Sequence, residues 1–421
     1  MLFLEEKKPQ KILGFFYGMK IMKDRKKPGY TRRNMLKKSI GLGGIILGMP
    51  FINLGQFQLF ASTTKKYSRK AIDLVTESLV MDMLSPLSLD LTGVEKGIYN
   101  EKMDSSGDGL TDQEIQDYRD SGINVFHIAV GTGGRNQTEN KISSMTYVSL
   151  HNSLISNHPD VFMRIDSVKD LDKVQKNGKV GILIGLQNSA HFISVDDVEL
   201  FYNLGQRVSQ LTYNNRNLIG NGSTERVDGG ITDFGVQIIE KMNKIGMAVD
   251  VSHCGDKTTL DSFEVSKKPV LITHSNVRNL TPGHPRCKTD EAIKAMAKCG
   301  GVMGLTAVRN FVKPDEPTTI EHYLDQFDYL RDMVGVEHIG VGSDIDLHGY
   351  DDLSEEWNKQ LRSGYKDSYA FRDKLDIEGV DHPKRMFDLT EGLIKRGYSN
   401  KHIKGILGQN FKRAFTEIWA N

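Results

Sequence analysis

Apolar runs of five to eight residues alternate with helical stretches along most of the chain. Several of the helical stretches end in glycine, which stops a helix in the left-handed conformation before a strand begins. This alternation is typical of a parallel sheet, and eight runs predict a (β/α)8 TIM-type barrel. An open doubly wound sheet is the alternative, but no Gly-x-Gly-x-x-Gly follows the first run. The runs are Leu79–Leu84, Ile123–Val130, Val180–Leu186, Val208–Tyr213, Met247–His253, Val270–His274, Gly301–Thr306 and His338–Asp344.

The first 65 residues have the pattern of an export signal, which leaves residues 66–421 for the barrel domain. Thr31–Lys38 contains paired arginines, the glycine-rich apolar run Ser39–Phe60 follows, and Ala61-Ser62 is a small-residue cleavage site. The pattern is typical of the twin-arginine pathway. We therefore expect an exported, periplasmic protein with no stable membrane span after signal removal. Retention as a signal anchor is the alternative.

Charge is distributed unevenly along the chain. Residues 1–61 carry 12 Lys and Arg against 3 Asp and Glu, so the formal charge of +1 for the whole sequence leaves −8 for the remainder. A mildly acidic protein lacks the basic surface that nucleic acids attract. Nucleic acid is therefore not expected as a partner.

Two of the runs end in a histidine. Met247–His253 precedes Cys254-Gly255, Val270–His274 precedes Ser275-Asn276, and a helical pattern lies between the two runs. Both imidazoles should therefore lie at the carboxyl ends of neighbouring parallel strands, where barrel enzymes place their chemistry. The alternative is two unrelated polar caps on buried strands. Two histidines in register favour a metal or catalytic site.

Other polar residues follow the runs at the same predicted rim. Because the carboxyl ends of parallel strands meet there, these side chains should assemble with the histidines into a site suited to hydrolysis. They are Gln187 after the third run, Tyr213 and Asn214 after the fourth, Arg286 in the loop after the sixth and Asp344 after the eighth.

About residues 75–420 resemble the membrane (renal) dipeptidase family, which comprises metal-dependent dipeptidases on an amidohydrolase-type barrel. The resemblance is carried by Ala248–Gly255, Val270–Asn276, His284-Pro285-Arg286 and Gly340–Asp346. The stretch Gly405–Phe411 is similar to the closing helix of the family and its Gly-x-Asn-Phe signature. The resemblance implies hydrolysis of the amide bond of a dipeptide or a similar small acyl–amino acid.

The resemblance also implies a role for each matching residue. His253 and His274 match the pair that binds one zinc ion of a two-zinc site, and neutral imidazoles are good Zn²⁺ ligands. Arg286 matches an arginine that steadies the substrate carboxylate or the developing oxyanion, for which a guanidinium fork is suited. Asp344 matches an aspartate that exchanges a proton with the reacting water and the leaving amine.

Other positions depart from the family pattern. The first strand of the family ends in His-x-Asp, which supplies the other zinc, whereas Leu84 and Pro86 stand at those positions here. The bridging glutamate after the third strand aligns with Gln187, a neutral amide that bridges cations poorly. Without carboxylates between them, two Zn²⁺ ions would repel strongly. We therefore expect one zinc ion per chain rather than two, at the histidine pair, with Gln187, Asp344 or water completing the shell.

Substrate contacts are expected from three residues and from a rim insertion. Tyr213 aligns with a substrate-contacting histidine of the family, Asn214 is its neighbour, and Arg286 would hold the substrate anion. The charged segment Gly349–Pro383 has little strand pattern and is predicted to be an insertion over the rim that shapes substrate access. A homodimer is left open.

The loss of metal ligands keeps other functions open. One alternative is a catalytically silent protein that binds peptides or cell-wall fragments. Another is a hydrolase that acts on a different bond, such as that of a lactam, because one barrel hosts many chemistries. An active metallodipeptidase is favoured, because the chain keeps the histidine pair, Arg286 and Asp344 at the positions that match the family pattern.

Overall fold

A computed structural model describes residues 67–85, 110–131, 136–351, 359 and 362–420. The predicted export signal and residues 352–358, 360 and 361 of the predicted insertion lie outside these ranges, so both stay predictions. Within the ranges the chain forms nine strands. They are β1 (Met81–Asp82), β2 (Val125–Ile128), β3 (Phe162–Arg164), β4 (Val180–Leu186), β5 (Val208–Gln210), β6 (Ala248–Asp250), β7 (Ile272–Ser275), β8 (Met303–Leu305) and β9 (Ile339–Val341).

Helices connect the strands and cover the outside of the sheet. None of the helices in the described ranges is long and apolar enough to cross a membrane. They are α1 (Arg69–Glu77), α2 (Asp112–Asp120), α3 (Gln137–Asn157), α4 (Val168–Asn177), α5 (Asp196–Leu204), α6 (Asp233–Ile245), α7 (Asp256–Val265), α8 (Asp290–Lys298), α9 (Arg309–Val312), α10 (Ile320–Val334), α11 (Arg385–Lys395), α12 (Asn400–Lys404) and α13 (Asn410–Ile418).

Helix boundaries follow local signals in the sequence. Helix α2 begins with a capping box in which the Thr111 hydroxyl accepts from the Glu114 backbone N–H and the Glu114 carboxylate accepts from the Thr111 backbone N–H. Helices α4 and α6 end at Gly178 and Gly246, whose φ angles of 69° and 83° are left-handed. Each of these glycines directly precedes the residues that enter a strand, as the sequence predicted.

The strands close into a ring. One sheet runs in the order β1-β2-β4-β5-β6 and another in the order β7-β8-β9, with all pairs parallel. A bridge between Asp250 and Leu271 joins β6 to the segment that enters β7. A hydrogen bond from Met83 N to Val341 O (2.8 Å) joins β1 to β9. Eight strands thus complete the barrel, which confirms the predicted fold.

Two details differ from the prediction. Strand β3 pairs with β4 outside the strand order of the ring, and its three residues form too short a run to be recognised from sequence. Strand β6 ends at Asp250, so His253 lies in the turn that follows and not on the strand. The Asp250 carboxylate ends the strand, because its Oδ1 accepts hydrogen bonds from Ser252 N (3.0 Å) and Thr273 N (3.1 Å).

The stretch that resembles the family signature holds the amino end of β9. Asn410 Nδ2 donates to the carbonyls of Val336 (2.8 Å) and Ile339 (2.7 Å). The Phe411 ring packs on Gly340, where an added Cβ would lie 2.2 Å from the ring. Only glycine at this strand position therefore admits the ring.

A buried ion pair lies where the barrel closes. Asp82, at the end of β1, accepts hydrogen bonds from Ser343 N (2.7 Å) and from Nε and Nη2 of Arg385 (both 3.2 Å). Arg385, at the start of α11, also donates to Ser85 Oγ (2.8 Å) and to the Ile345 carbonyl (3.2 Å). Buried charges are costly unless they are paired and hydrogen-bonded. This network therefore fixes how the end of β1 meets the segment after β9.

Replacing Arg385 with leucine is expected to lower the free energy of unfolding by about 3–5 kcal/mol, because the Asp82 carboxylate stays buried without its cation. Urea unfolding followed by circular dichroism measures the change. The control is Arg69→Leu, which removes an exposed pair with Asp73 and should cost less than about 1 kcal/mol. Adding Asp82→Asn to Arg385→Leu should recover part of the loss. A loss no larger than that of the control would contradict this role of the pair.

Candidate active site

The two histidines predicted as metal ligands lie side by side at the rim. His253 follows β6, His274 lies within β7, and their Nε2 atoms are 3.0 Å apart. Both side chains are buried. Burial, together with the positive charge of Arg286, lowers the pKa of both imidazoles well below the usual range. Both rings are therefore neutral at physiological pH.

Neighbouring oxygen atoms determine which nitrogen of each ring carries the proton. Asn214 Oδ1 lies 2.8 Å from His253 Nδ1 and accepts its proton. Thr273 Oγ1 donates to the Asp250 carboxylate (2.6 Å), so it accepts from His274 Nδ1 at 2.8 Å. Each Nε2 then presents a lone pair. Two lone pairs facing each other repel, and a cation beside both of them removes the repulsion.

Few other metal-binding donors surround the pair. The described part of the chain contains no cluster of three or more His, Cys, Asp and Glu that could hold a metal ion. Leu84, fully buried, offers no donor, and Pro86 lies outside the described ranges. Gln187 donates its Nε2–H to the Ala129 carbonyl (2.9 Å), so only its amide oxygen is left for a cation. The donors that the structure brings together are therefore the two histidines.

Arg286 reaches the site from the loop after β7 and is buried. Its Nη1 donates to the Ser252 carbonyl (2.5 Å) and its Nη2 to the His274 carbonyl (3.1 Å), which holds the guanidinium against the strand ends that carry the histidines. Its Nε–H has no hydrogen-bond partner among the described residues. Unpaired buried donors are rare in native proteins. A free donor on a buried cation is suited to an anionic ligand.

Asp344 follows β9 with a left-handed backbone (φ 57°), which residues other than glycine seldom adopt. A hydrogen bond from its backbone N–H to the Leu84 carbonyl (2.7 Å) holds it there. Burial raises the pKa of its carboxyl group to about 7, an effect that Arg286 opposes and Asp82 reinforces. A carboxyl group that titrates near neutral pH can accept and return a proton. Strained backbones of this kind cluster at functional sites.

Tyr213 forms a wall of the site beside the first histidine. Its ring stacks on that of His253, with centres 4.2 Å apart and planes 22° apart. Asn214 is buried, and its Oδ1 accepts from His253. The structure therefore gives Asn214 an orienting contact with the imidazole, while its predicted contact with substrate stays a prediction.

Two tyrosines of the predicted insertion also reach the site, and the sequence did not assign them to it. The Tyr365 hydroxyl hydrogen-bonds the Tyr213 hydroxyl, and Tyr369 lies near enough to Arg286 to interact with it electrostatically. The rings of Tyr365 and Tyr369 lie 4.5 Å apart. The available signal was the tyrosine content of the segment. Neither residue follows a strand, so no pattern placed them at the rim.

Contacts with two rim loops and with helix α9 hold the described part of the insertion. Lys366 Nζ donates to the Thr224 carbonyl (2.9 Å) in the loop after β5. The Tyr369 carbonyl accepts from Asn310 Nδ2 (3.0 Å) and lies 3.0 Å from His284 Nε2. These bonds seat residues 365–371 against the rim beside the histidine pair.

The chain is similar to known dipeptidases. A family model described as membrane dipeptidase (peptidase family M19) matches residues 68–363. Dipeptidase verJ of Clonostachys rogersoniana is 28% identical over 285 residues, which are 67% of this chain and 66% of that protein. The chain thus spans about two thirds of the length of that relative.

Solved structures share the barrel. The structure of an amidohydrolase from Pseudomonas aeruginosa aligns with a TM-score of 0.69 and 29% identity, covering 83% of this chain and 99% of its own. That of the probable dipeptidase PvdM from Pseudomonas aeruginosa aligns with a TM-score of 0.68 and 17% identity, covering 83% and 98%. The second likeness shows the fold.

The family match contains the histidine pair, Arg286 and Asp344. The match covers more than half of the chain, and the similarity to a dipeptidase agrees with it. The chain therefore belongs to the membrane dipeptidase family, whose members are hydrolases that act on peptide bonds.

Proposed function

We propose that this protein is an exported dipeptidase that works with one zinc ion, held by His253 and His274. The observation that carries the proposal is the pair of neutral imidazoles whose Nε2 lone pairs face each other at 3.0 Å. Gln187 Oε1, Asp344 or water would complete the shell. When bound, the ion would polarise the substrate carbonyl and lower the pKa of a water molecule.

Arg286 would bind the carboxylate of the dipeptide. Its guanidinium is already fixed by two backbone carbonyls, so little side-chain entropy is lost when a ligand binds. A carboxylate oxygen of the substrate would satisfy the Nε–H, which lacks a partner among the described residues, and this supports the assignment. Tyr213, stacked on His253, would line the opposite part of the substrate site.

Asp344 would move the proton. As a carboxylate it accepts a proton from the attacking water, and it then returns that proton to the leaving amine. Burial raises the pKa of this carboxyl group above the usual value for an aspartate, so returning a proton near neutral pH is easier than for an exposed carboxylate. Its left-handed backbone aims the side chain from the end of β9, and the Leu84 hydrogen bond keeps it there.

Export to the periplasm is supported by the twin-arginine pattern of Thr31–Lys38. That pathway carries proteins already folded in the cytoplasm. A zinc ion loaded before export would therefore travel with the folded barrel.

Metal analysis together with a dipeptide panel tests the proposed function. We expect purified protein matured with its signal to contain one zinc ion per chain and to release free amino acids from dipeptides. Chelation should abolish this activity and added Zn²⁺ should restore it, because the residues present do not replace the Lewis acid.

Other results would contradict the proposal in distinct ways. Two ions per chain would refute the single-metal site while leaving the hydrolase in place. If the protein contains no metal, does not hydrolyse dipeptides and binds peptides without metal in calorimetry, it is the catalytically silent binder and not an enzyme.

A further inference from the structure

The hydroxyl groups of Tyr213 and Tyr365 meet in a hydrogen bond beside the histidine pair. Tyr213 is held by stacking on His253 at 4.2 Å. Tyr365 packs against Tyr369 at 4.5 Å and edge-on against Phe371 at 5.0 Å. Aromatic packing therefore fixes both rings, so the position of the two hydroxyl groups is set before any ligand arrives.

The Tyr213–Tyr365 pair has one phenol proton that the bond between the two hydroxyl groups does not use. Two phenols carry two protons, and the bond between them uses one. Burial raises the pKa of both phenols above the usual value, so both stay protonated at neutral pH and the second proton is available to an acceptor outside the pair. The pair therefore presents one O–H donor in a fixed place.

Two charged groups of the site lie near the phenol pair. Asp344 interacts electrostatically with both phenols, and Arg286 with Tyr365. These are the carboxyl group proposed to move the proton and the cation proposed to bind the substrate carboxylate. A dipeptide held between them would bring its amide carbonyl near the phenol pair.

The two phenols differ in position. Tyr213 lies directly on the metal-binding imidazole, whereas Tyr365 packs against the aromatic side chains of the insertion. Tyr213 is therefore the phenol placed to meet a substrate bound at the histidine pair. Either hydroxyl can donate in the bond between the two phenols. With Tyr365 as the donor, the Tyr213 oxygen accepts and the Tyr213 O–H is left for the substrate.

We propose that Tyr213 donates a hydrogen bond to the carbonyl oxygen of the scissile amide and that Tyr365 is the residue that positions this donor. The inference rests on the proposed dipeptidase function. Negative charge grows on that oxygen as water adds to the carbonyl carbon, and a fixed donor stabilises the charge more than it stabilises the neutral amide. The phenol keeps its proton throughout, so Asp344 alone transfers protons.

The experiment compares Tyr365→Phe, Tyr213→Phe and the double variant in the zinc-loaded protein, on the dipeptide that the wild type cleaves best. Removing the Tyr213 donor should lower kcat by roughly a hundredfold or more. Tyr365→Phe keeps the ring and its packing but frees the donor to rotate. It should lower kcat by about tenfold and leave KM within about twofold, because the lost interaction belongs to the transition state.

The double variant separates a positioning role from a structural one. Because Tyr365 acts through Tyr213, Tyr365→Phe should cost less than about twofold in the Tyr213→Phe background. Tyr329→Phe is the matched control, since it removes a phenol that bonds Asp290 away from the site, and its kcat should equal that of the wild type.

Two results would overturn the inference. If Tyr365→Phe behaves like Tyr329→Phe while the wild type is active, or if the two losses multiply in the double variant, Tyr365 does not position Tyr213. Absence of dipeptide hydrolysis by the zinc-loaded wild type would instead remove the proposed function, and the inference with it.

Discussion

Replacing His253 with alanine is expected to remove the bound metal and to lower kcat/KM for dipeptides by at least a factor of about 10³. The substitution leaves His274 as one imidazole without its partner, and a metal that polarises a carbonyl supplies several kcal/mol of transition-state stabilisation. Zinc content measured by mass spectrometry after gel filtration, together with steady-state kinetics, checks both parts.

Two further variants test whether the loss of activity in His253→Ala comes from the loss of zinc. Asn214→Ala keeps both imidazoles but removes the oxygen that accepts from His253 Nδ1, so zinc affinity should fall by about 10–100-fold. His402→Ala changes an exposed histidine on α12 and should keep wild-type zinc and activity. Full zinc content in folded His253→Ala protein would disprove the assigned site.

Replacing Asp344 with asparagine is expected to lower kcat by roughly 10²–10⁴-fold with little change in KM, because proton transfer is lost while the shape is kept. Asparagine tolerates the left-handed backbone at this position (φ 57°), so the loop should stay in place. Kinetics and thermal melting on the same preparations separate loss of chemistry from loss of fold. Activity within about twofold of the wild type would exclude Asp344 as the proton carrier.

The pH dependence of the rate, measured for the wild type and for Asp344→Asn, gives a second test of Asp344 as the proton carrier. The active form of Asp344 is the carboxylate, so the wild-type rate should fall as the pH is lowered through the pKa of this group. That value is about 7 without metal, and a bound cation lowers it, so the acid limb should lie below pH 7. The residual activity of Asp344→Asn should lack this limb.

The folding stability of the metal-free protein should depend on pH in the direction opposite to that of the rate. Folding raises the pKa of Asp344 from 3.8, so the folded state binds more protons than the unfolded state between about pH 4 and 7. The wild type therefore loses stability as the pH rises through this window. Asp344→Asn avoids that loss and should melt at a higher temperature than the wild type at pH 8, with the difference vanishing near pH 4.

The sequence by itself determined the barrel. Eight apolar runs separated by helices allow few arrangements, and glycines such as Gly178 and Gly246 mark where helices end and strands follow. The sequence also predicted that His253, His274, Arg286 and Asp344 lie at one rim, because residues that follow parallel strands meet at the same end of the sheet. Periodicity and strand direction are local properties, so they can be recognised without coordinates.

Tertiary structure decided the contacts between segments distant in sequence. It set the Nε2 atoms of His253 and His274 at 3.0 Å. It brought Tyr365 onto Tyr213 across 152 positions, and it paired Asp82 with Arg385 across 303 positions. No spacing rule links residues that far apart, because their approach depends on the path of the loops between them. The orientation of the histidines and the position of the insertion tyrosines therefore follow from the folded barrel, where packing and hydrogen bonds select one arrangement.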